Sequence, residues 1–489
     1  MSRSDHPPDG TSRWGRLRFS IVGPLLSSPP AAGELRGCLE ALSSKEWIHP
    51  IGGQPVHFSF STIERWYYQA LAGDDPLGAL CRKRRSDSGT DRSWSPLLKA
   101  ALVTQYREHP GWSRRLHYDN LAVLARSDGA YGPMPSYSTL VRGMNAWGLL
   151  RRRRRGPRKS PGARQAEARF HSRETRGFEV EFVNGLWHLD FHHGSRKVSL
   201  RSGRYATPIL LGVLDDCSRL ICHAQWYLSE SAETLAHGLC QAFQKRGLPR
   251  SLMTDNGGAM MAAETREGLL RLGVLHETTL PYSPHQNGKQ ESFWGRIEGR
   301  LLPMLEGVDQ VDLAQLNRAT VAWVEMDYNR KIHSETGVRP VDRFAHLDDV
   351  GRQCPEAETL RRAFTTAVDR VQRRSDGTAS VQGVRFEIPS QYRHLKRVTL
   401  RYWSWDLARA FLCDPRSKQI VRPLFPQDKT ANAQGLRRRQ EPPAGVDPST
   451  ERPVEGSGMA PLLSRLLAEY VQTGLVPSYL PKAEEEGSS

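Results

Sequence analysis

The chain is 489 residues long, too long for one compact core, and this length predicts three or four domains. Its 69 Lys and Arg outnumber 53 Asp and Glu, and the formal net charge of +16 points to a polyanionic partner, nucleic acid or an acidic membrane surface. No run of about 18 apolar residues is present, which excludes a membrane-spanning segment, and Met1 to Pro8 lack a signal-peptide pattern. The seven cysteines, Cys38, Cys81, Cys217, Cys222, Cys240, Cys354 and Cys413, are scattered, and none forms a Cys-x-x-Cys pair. That argues against a disulfide framework or zinc finger and for simple thiols in a reducing cytoplasm.

Residues 1–33 are rich in Pro, Ser, Gly and Arg and are expected to be loose. Within 34–80 the spacing of Leu35, Leu39 and Leu42 predicts a helix. Ser61 and Glu64 predict a capping box at the start of another helix, which carries Arg65. A polar basic linker covers 81–94. Residues 95–150 repeat the pattern: Leu97, Leu98, Ala101, Leu102 and Tyr106 form one stripe, and Leu121, Val123 and Leu124 a second. Pro135 to Met144, with Arg142, is the candidate reading helix. Both units resemble helix-turn-helix modules, whose Ser, Thr, Arg and Tyr suit phosphate and base-edge contacts; the plain alternative is a pair of structural bundles. Residues 151–177 begin with Arg151, Arg152, Arg153, Arg154, Arg155, Arg158 and Lys159. Such density repels itself unless an anion neutralises it, so an arm along DNA phosphates is expected, with a solvated linker as the alternative.

Residues 178–345 alternate strands and helices. Strands are expected at 182–191, 205–214, 220–228, 251–254 and 274–280. Helices are expected at 231–247, capped by Ser231 and ended by Gly247, then at 262–273 and 288–305. Three acids stand at telling places. Asp190 interrupts a strand between Leu189 and Phe191, where a carboxylate is costly unless compensated. Asp255 closes a strand before Asn256-Gly257-Gly258, at the end where open sheets present ligands. Glu291 falls just beyond the apolar stripe of Phe293, Ile297, Leu301 and Met304, on the rim of a helix. It lies 36 positions after Asp255. His285 and Lys289 stand close by in sequence, as phosphate contacts or as structural groups. Asp215 and Asp216 are expected to form a turn, one pairing with Arg219. His188, His192 and His193 lack a fourth ligand at zinc spacing.

The order strand, strand, strand, helix, strand, helix, strand, helix is that of the ribonuclease-H-like fold. With Thr254-Asp255-Asn256-Gly257, the run Pro281 to Gly288 ahead of Glu291, and Tyr328-Asn329, His333-Ser334 and Pro340, it resembles the DDE transposase and retroviral integrase superfamily over about 165 residues. The later residues resemble bacterial insertion-sequence transposases. The resemblance implies that Asp190, Asp255 and Glu291 hold two Mg²⁺ ions, replaceable by Mn²⁺, Asp190 bridging both. Two such ions about 3.5–4 Å apart clamp an in-line phosphoryl displacement. It also implies a DNA partner, self-association on DNA and a bacterial, nucleoid-associated protein. The alternatives are a phage or retroelement-type integrase and a catalytically retired DNA-binding regulator. The retroviral arrangement is disfavoured by the lack of a His-His-Cys-Cys module, and the retired regulator by retention of all three acids.

Short strand-like runs in 365–426, at 381–388, 397–403, 408–413 and 419–423, resemble the small β-barrel after the core of Mu-type transposases. Tyr402, Trp403 and Trp405 with Arg397, Arg401 and Arg409 are either DNA contacts or barrel core. Residues 427–458 are polar, Pro-rich and expected to be disordered. In 459–489, Leu462, Leu463, Leu466, Leu467 and Tyr470 predict an amphipathic tail that docks on a partner, by analogy with related systems an AAA+ ATPase. The fold class expected is therefore multidomain α and α/β: helix-turn-helix units, a ribonuclease-H-like core and a small C-terminal β-barrel.

Overall fold

The computed structural model describes residues 10–81, 93–152, 179–279, 288–429, 433 and 458–475. The arm from Arg153 to Lys159, the loop containing His285 and nearly all of the 427–458 linker lie outside them. The chain divides into two units, 1–92 and 93–489. No helix among the described residues is long and apolar enough to cross a membrane.

The first unit corrects the expected loose N-terminus. Gly10–Ser27 is a helix, and it joins Leu35–Ser43, Phe60–Leu71 and Pro76–Leu80. Ile21 and Val22 are fully buried beside Leu39, Ile63 and Trp66. The apolar spacing of Leu17, Ile21, Val22 and Leu25 outweighs a composition that reads as unstructured. The capping box expected at Ser61 does not form. The helix starts at Phe60 with Ser59 as N-cap, and the Ser59 hydroxyl bonds the Thr62 hydroxyl at 2.8 Å.

The second unit opens with Pro96–Glu108, Arg114–Ser127 and Tyr137–Ala146. Ser95, Ser113 and Ser136 cap these helices by accepting from Leu98, Leu116 and Thr139 backbone N–H groups. A five-stranded sheet follows: β1 (Leu186–His193), β2 (Ile209–Asp215), β3 (Ile221–Tyr227), β4 (Ser251–Thr254) and β5 (Leu275–Thr278). The strand order is β3-β2-β1-β4-β5. β1, β2 and β3 pair antiparallel, whereas β1, β4 and β5 pair parallel. Every residue of β2 and β3 is buried, because helices cover both faces.

On one face Trp187, Leu189, Leu211 and Val213 pack with Leu235, Leu239 and Phe243 of helix Ala232–Arg246. That helix begins and ends as the sequence predicts. Ser231 and Thr234 form a reciprocal cap, and Gly247 leaves it at φ 84°. On the other face Leu210 and Leu214 pack with Phe293, Trp294 and Trp323. The single helix expected over 288–305 is α-helical over Gly288–Arg296, widens to a π segment over Ile297–Leu301 and tightens to 3₁₀ over Leu302–Leu305.

Two asparagines close the free edge of β3. The Asn317 amide accepts from Trp226 N at 2.7 Å and donates to Trp226 O at 3.0 Å. Asn329 does the same at Ile221, at 3.0 and 3.2 Å. Side-chain amides thus satisfy backbone groups that would otherwise invite another strand.

C-terminal to this, Thr366–Val371, Arg397–Trp403, Asp406–Cys413 and Ile420–Leu424 form a four-stranded antiparallel sheet. The single run expected at 381–388 is instead a hairpin, Thr378–Val381 with Val384–Glu387. Gln382 and Gly383 turn it with φ of 49° and 83°, the two positive values a tight primed turn needs. Tyr402 and Trp403 are buried, so they belong to the core. Arg401 is also buried, bonding Thr365 Oγ1 at 2.9 Å and Arg362 O at 2.7 Å.

The tail helix, Pro461–Gln472, is not a free amphipathic element. Leu462, Leu463 and Leu466 are buried against helices Arg114–Ser127 and Leu313–Trp323, and Leu462 N donates to the Asn120 side chain at 3.0 Å. At its start, Gly458 (φ 102°) and Gly307 lie so close that a Cβ on either would clash with the other's carbonyl oxygen. The apolar face expected to wait for a partner is occupied in cis.

Candidate active site

β1 carries Asp190 as its fifth residue, and β4 ends one residue before Asp255. The parallel register pairs Leu186 with Ser251 and His188 with Met253. Continuing it by two residues sets Asp190 beside Asp255 at the C-terminal ends of neighbouring strands. β4 has already stopped there, so the two carboxylates border an opening rather than the sheet interior. On its other side Asp190 pairs with Gly212 of β2.

Alternation along β1 sends Leu189 into one core and turns His188, Asp190 and His192 toward helix Gly288–Arg296. That helix is tied down next to Glu291. Buried Gln290 donates to Gly212 O at 2.9 Å and His188 O at 3.3 Å. Lys289 forms an ion pair with the fully buried Asp216. Glu291 follows in the first turn and is exposed.

Burial and the neighbouring Asp255 raise the Asp190 carboxyl to about 6, against the opposing hydrogen bonds of Phe191 N–H and the Trp294 indole. Glu230, which the sequence reading did not single out, adds to the rise. Its carboxylate and that of Asp255 both approach Gly257, where an added Cβ would lie 3.3 and 3.0 Å from their oxygens. Its position just before the Ser231 cap was the available signal. Asp255 also accepts from Gly257 N at 3.0 Å.

Acidic oxygens that face one another without a cation suit a hard divalent ion, which would relieve the penalty that raises Asp190. Among the described residues, however, no three His, Cys, Asp or Glu side chains gather closely enough to hold a metal. Asp190 and Asp255 come together; Glu291 is carried on the adjoining helix without joining them.

The other expected residues fall out as follows. Lys289, read from sequence as either a phosphate contact or a structural group, is engaged with Asp216, whose carboxyl also bonds His188 Nε2 at 2.7 Å. Arg219 pairs with Glu179 and Glu335 and donates to the backbone oxygen of Asp216, so the expected pairing with an Asp215 or Asp216 carboxylate is replaced. Asp215 does make the turn, accepting from Asn184 N at 2.9 Å and Ser218 N at 2.8 Å. His192 stacks on Trp294 and bonds Glu298 at 3.0 Å. Arg65 and Arg142 are exposed on their helices, Arg142 donating to Thr139 Oγ1 at 3.1 Å. Arg151 donates to Gly111 O at 2.8 Å and Arg152 N to Pro110 O at 2.8 Å, which ties the start of the arm to the helical module.

Residues 181–284 match the family of the integrase core domain, a span that includes Asp190 and Asp255 and ends before Glu291. Among solved structures, the simian T-cell lymphotropic virus intasome in complex with PP2A regulatory subunit B56 gamma is similar at 16% identity and TM-score 0.31, over 51% of this chain and 78% of that one. The HTLV-2 integrase catalytic core domain in complex with magnesium is similar at 18% identity and TM-score 0.28, over 35% and 99%. The catalytic core domain of BIV integrase is similar at 22% identity and TM-score 0.27, over 33% and 94%.

Proposed function

We infer that this chain, which carries the integrase core domain of the DDE transposase and integrase superfamily, is a polynucleotidyl transferase that acts as a DNA transposase. The observation that carries the reading is the register of β1 against β4, which brings Asp190 and Asp255 side by side at the strand ends. Asp190, Asp255 and Glu291 are the metal-holding residues in this reading, and Mg²⁺ or Mn²⁺ suits their oxygens. Two such ions would activate an attacking oxygen and steady the leaving oxygen of a phosphodiester.

The chain's own groups orient that chemistry. Gln290, bonded to the carbonyls of His188 and Gly212, fixes the helix that carries Glu291, which would hold a bound metal together with the two aspartates. Helix Tyr137–Ala146 with Arg142, helix Phe60–Leu71 with Arg65, and the arm from Arg151 to Lys159 bind the element ends. Water first frees a 3′-hydroxyl, and that hydroxyl then attacks target DNA, so no covalent protein intermediate is required. Joining two ends calls for at least two copies on DNA. The AAA+ ATPase expected at the tail gains no support, because Leu462, Leu463 and Leu466 are already covered.

A strand-transfer assay with Mg²⁺ and separately measured end binding tests this. Glu291→Gln should lose at least about a hundredfold in joining, the scale of removing one group that stabilises transition-state charge, with end binding kept. Joining at the wild-type rate would exclude Glu291 from the site.

A further inference from the structure

Glu291, Trp294 and Glu298 recur at i, i+3 and i+7 and therefore share one helix face. Trp294 is buried, and its ring rests on Gly212, where a Cβ would clash with the indole. Gly212 is the cross-strand partner of Asp190, so the ring seated on it lies beside the Asp190 carboxylate, and the indole N–H works against the rise of that acid. From the other side His192 stacks on the indole, with centroids 5.2 Å apart and planes 13° apart. His192 is in turn fixed by Glu298 at 3.0 Å, and Glu298 also accepts from Ser195 N at 3.1 Å.

Each link has its own physical reason. The missing side chain at position 212 makes room for the ring. The strand alternation points Asp190 and His192 to the same face. Glu298, one helical turn beyond Trp294, locks the imidazole in the stacking plane. A carboxylate held only by its own strand would rotate among rotamers.

We propose that Trp294 is a positioning residue for the Asp190–Asp255 site: seated on Gly212 and backed by His192, it fixes the Asp190 carboxylate and the approach of the helix that carries Glu291. This rests on the reading of Asp190 as a metal-holding group. Groups that orient metal ligands typically change metal affinity by about 10–100-fold when removed.

The test measures the Mn²⁺ concentration for half-maximal thermal stabilisation of the full-length protein, alongside strand transfer. Trp294→Phe keeps an aromatic ring on Gly212 but removes the N–H, and should raise the Mn²⁺ midpoint about tenfold. His192→Ala, at a half-buried position, should raise it by a smaller factor and decides the matter should Trp294→Phe fail to fold. A purely structural Trp294 would lower the melting temperature without Mn²⁺ and leave the midpoint unchanged, which would overturn the proposal. Asp190→Asn separates the two ideas. It should abolish the Mn²⁺ response. If it responds like wild type, the metal reading of Asp190 fails; if it loses the response while Trp294→Phe and His192→Ala keep wild-type midpoints, only the positioning role fails.

Discussion

Two sets of carboxylates within the second unit are built on opposite plans. Asp119 and Asp327 are wrapped in cations: Arg300 reaches them at 2.6 and 3.0 Å, Lys331 reaches them at 3.4 and 2.7 Å, and Arg115 reaches Asp119 at 3.0 Å. Burial alone would push Asp327 up, but Arg300 and Lys331 hold it below its ordinary value. Asp216 follows the same plan. Burial is outweighed by His188 and Lys289, and its carboxyl falls to about 2. Asp190, on the neighbouring strand, has Asp255 and Glu230 for company and rises to about 6. The compensated carboxylates join elements: Asp119 connects helix Arg114–Ser127 to the π segment Ile297–Leu301 through Arg300, and Asp216 connects the sheet to the start of the helix bearing Glu291. Asp190 and Asp255 have no ion pair to a Lys or Arg among the described residues, and accept from the nearby Phe191 and Gly257 N–H groups. In the proposed function that excess of negative charge is what a metal would relieve, and sites that perturb their own acids are often functional.

The sharpest way to break this contrast is Asp216→Ala. It would leave Lys289 and His188 without their acid partner in the interior, and a loss of about 3–5 kcal/mol in urea unfolding is expected. A loss near zero would mean that Asp216 does not hold the helix to the sheet. Arg300→Leu should cost less, about 2 kcal/mol, because the guanidinium is partly solvated and Lys331 stays behind. Its effect should be most visible as faster proteolysis between the helical module and the core; unchanged digestion would count against the ion network as the connection.

The smallest effect is a pH dependence. The folded Asp190 binds its proton more tightly than the unfolded chain does, so ionising it costs stability. That cost is absent below pH 4, grows between pH 4 and 6, and is complete above pH 6. In chelator, Asp190→Asn should match wild-type melting below pH 4 and exceed it above pH 6. Saturating Mn²⁺ should reverse the order at neutral pH. Parallel melting curves at every pH would show Asp190 to be as relaxed as a surface acid.

Local signals were legible wherever one short stretch contained the whole cause. Ser231 and Gly247 bound their helix because a cap needs only neighbouring residues. The β1 and β4 strands, and hence the relation of Asp190 to Asp255, could be read from apolar runs and a strand exit. Cues that compete locally misled. Ser59 displaced Ser61 as the cap, and the positive-φ pair Gln382-Gly383 split an apparent strand, since Gln gives no warning of a left-handed turn. Composition hid the helix at Gly10–Ser27, whose stability comes from burying Ile21 and Val22 rather than from propensity.

By itself, then, the sequence determined the order of elements, the acidic positions on them and the basic flanks. These follow from backbone periodicity and from charge. Only the tertiary structure decided what each charged or apolar group meets. Of the two roles open to Lys289, phosphate contact or structural group, the fold made it the partner of Asp216, and Glu230 arrived beside Asp255 from a different strand end. The tail spent its apolar face on helices Arg114–Ser127 and Leu313–Trp323. Those outcomes depend on contacts between residues far apart in the chain, 73 positions from Asp216 to Lys289 and 342 from Asn120 to Leu462, for which a linear pattern carries no register.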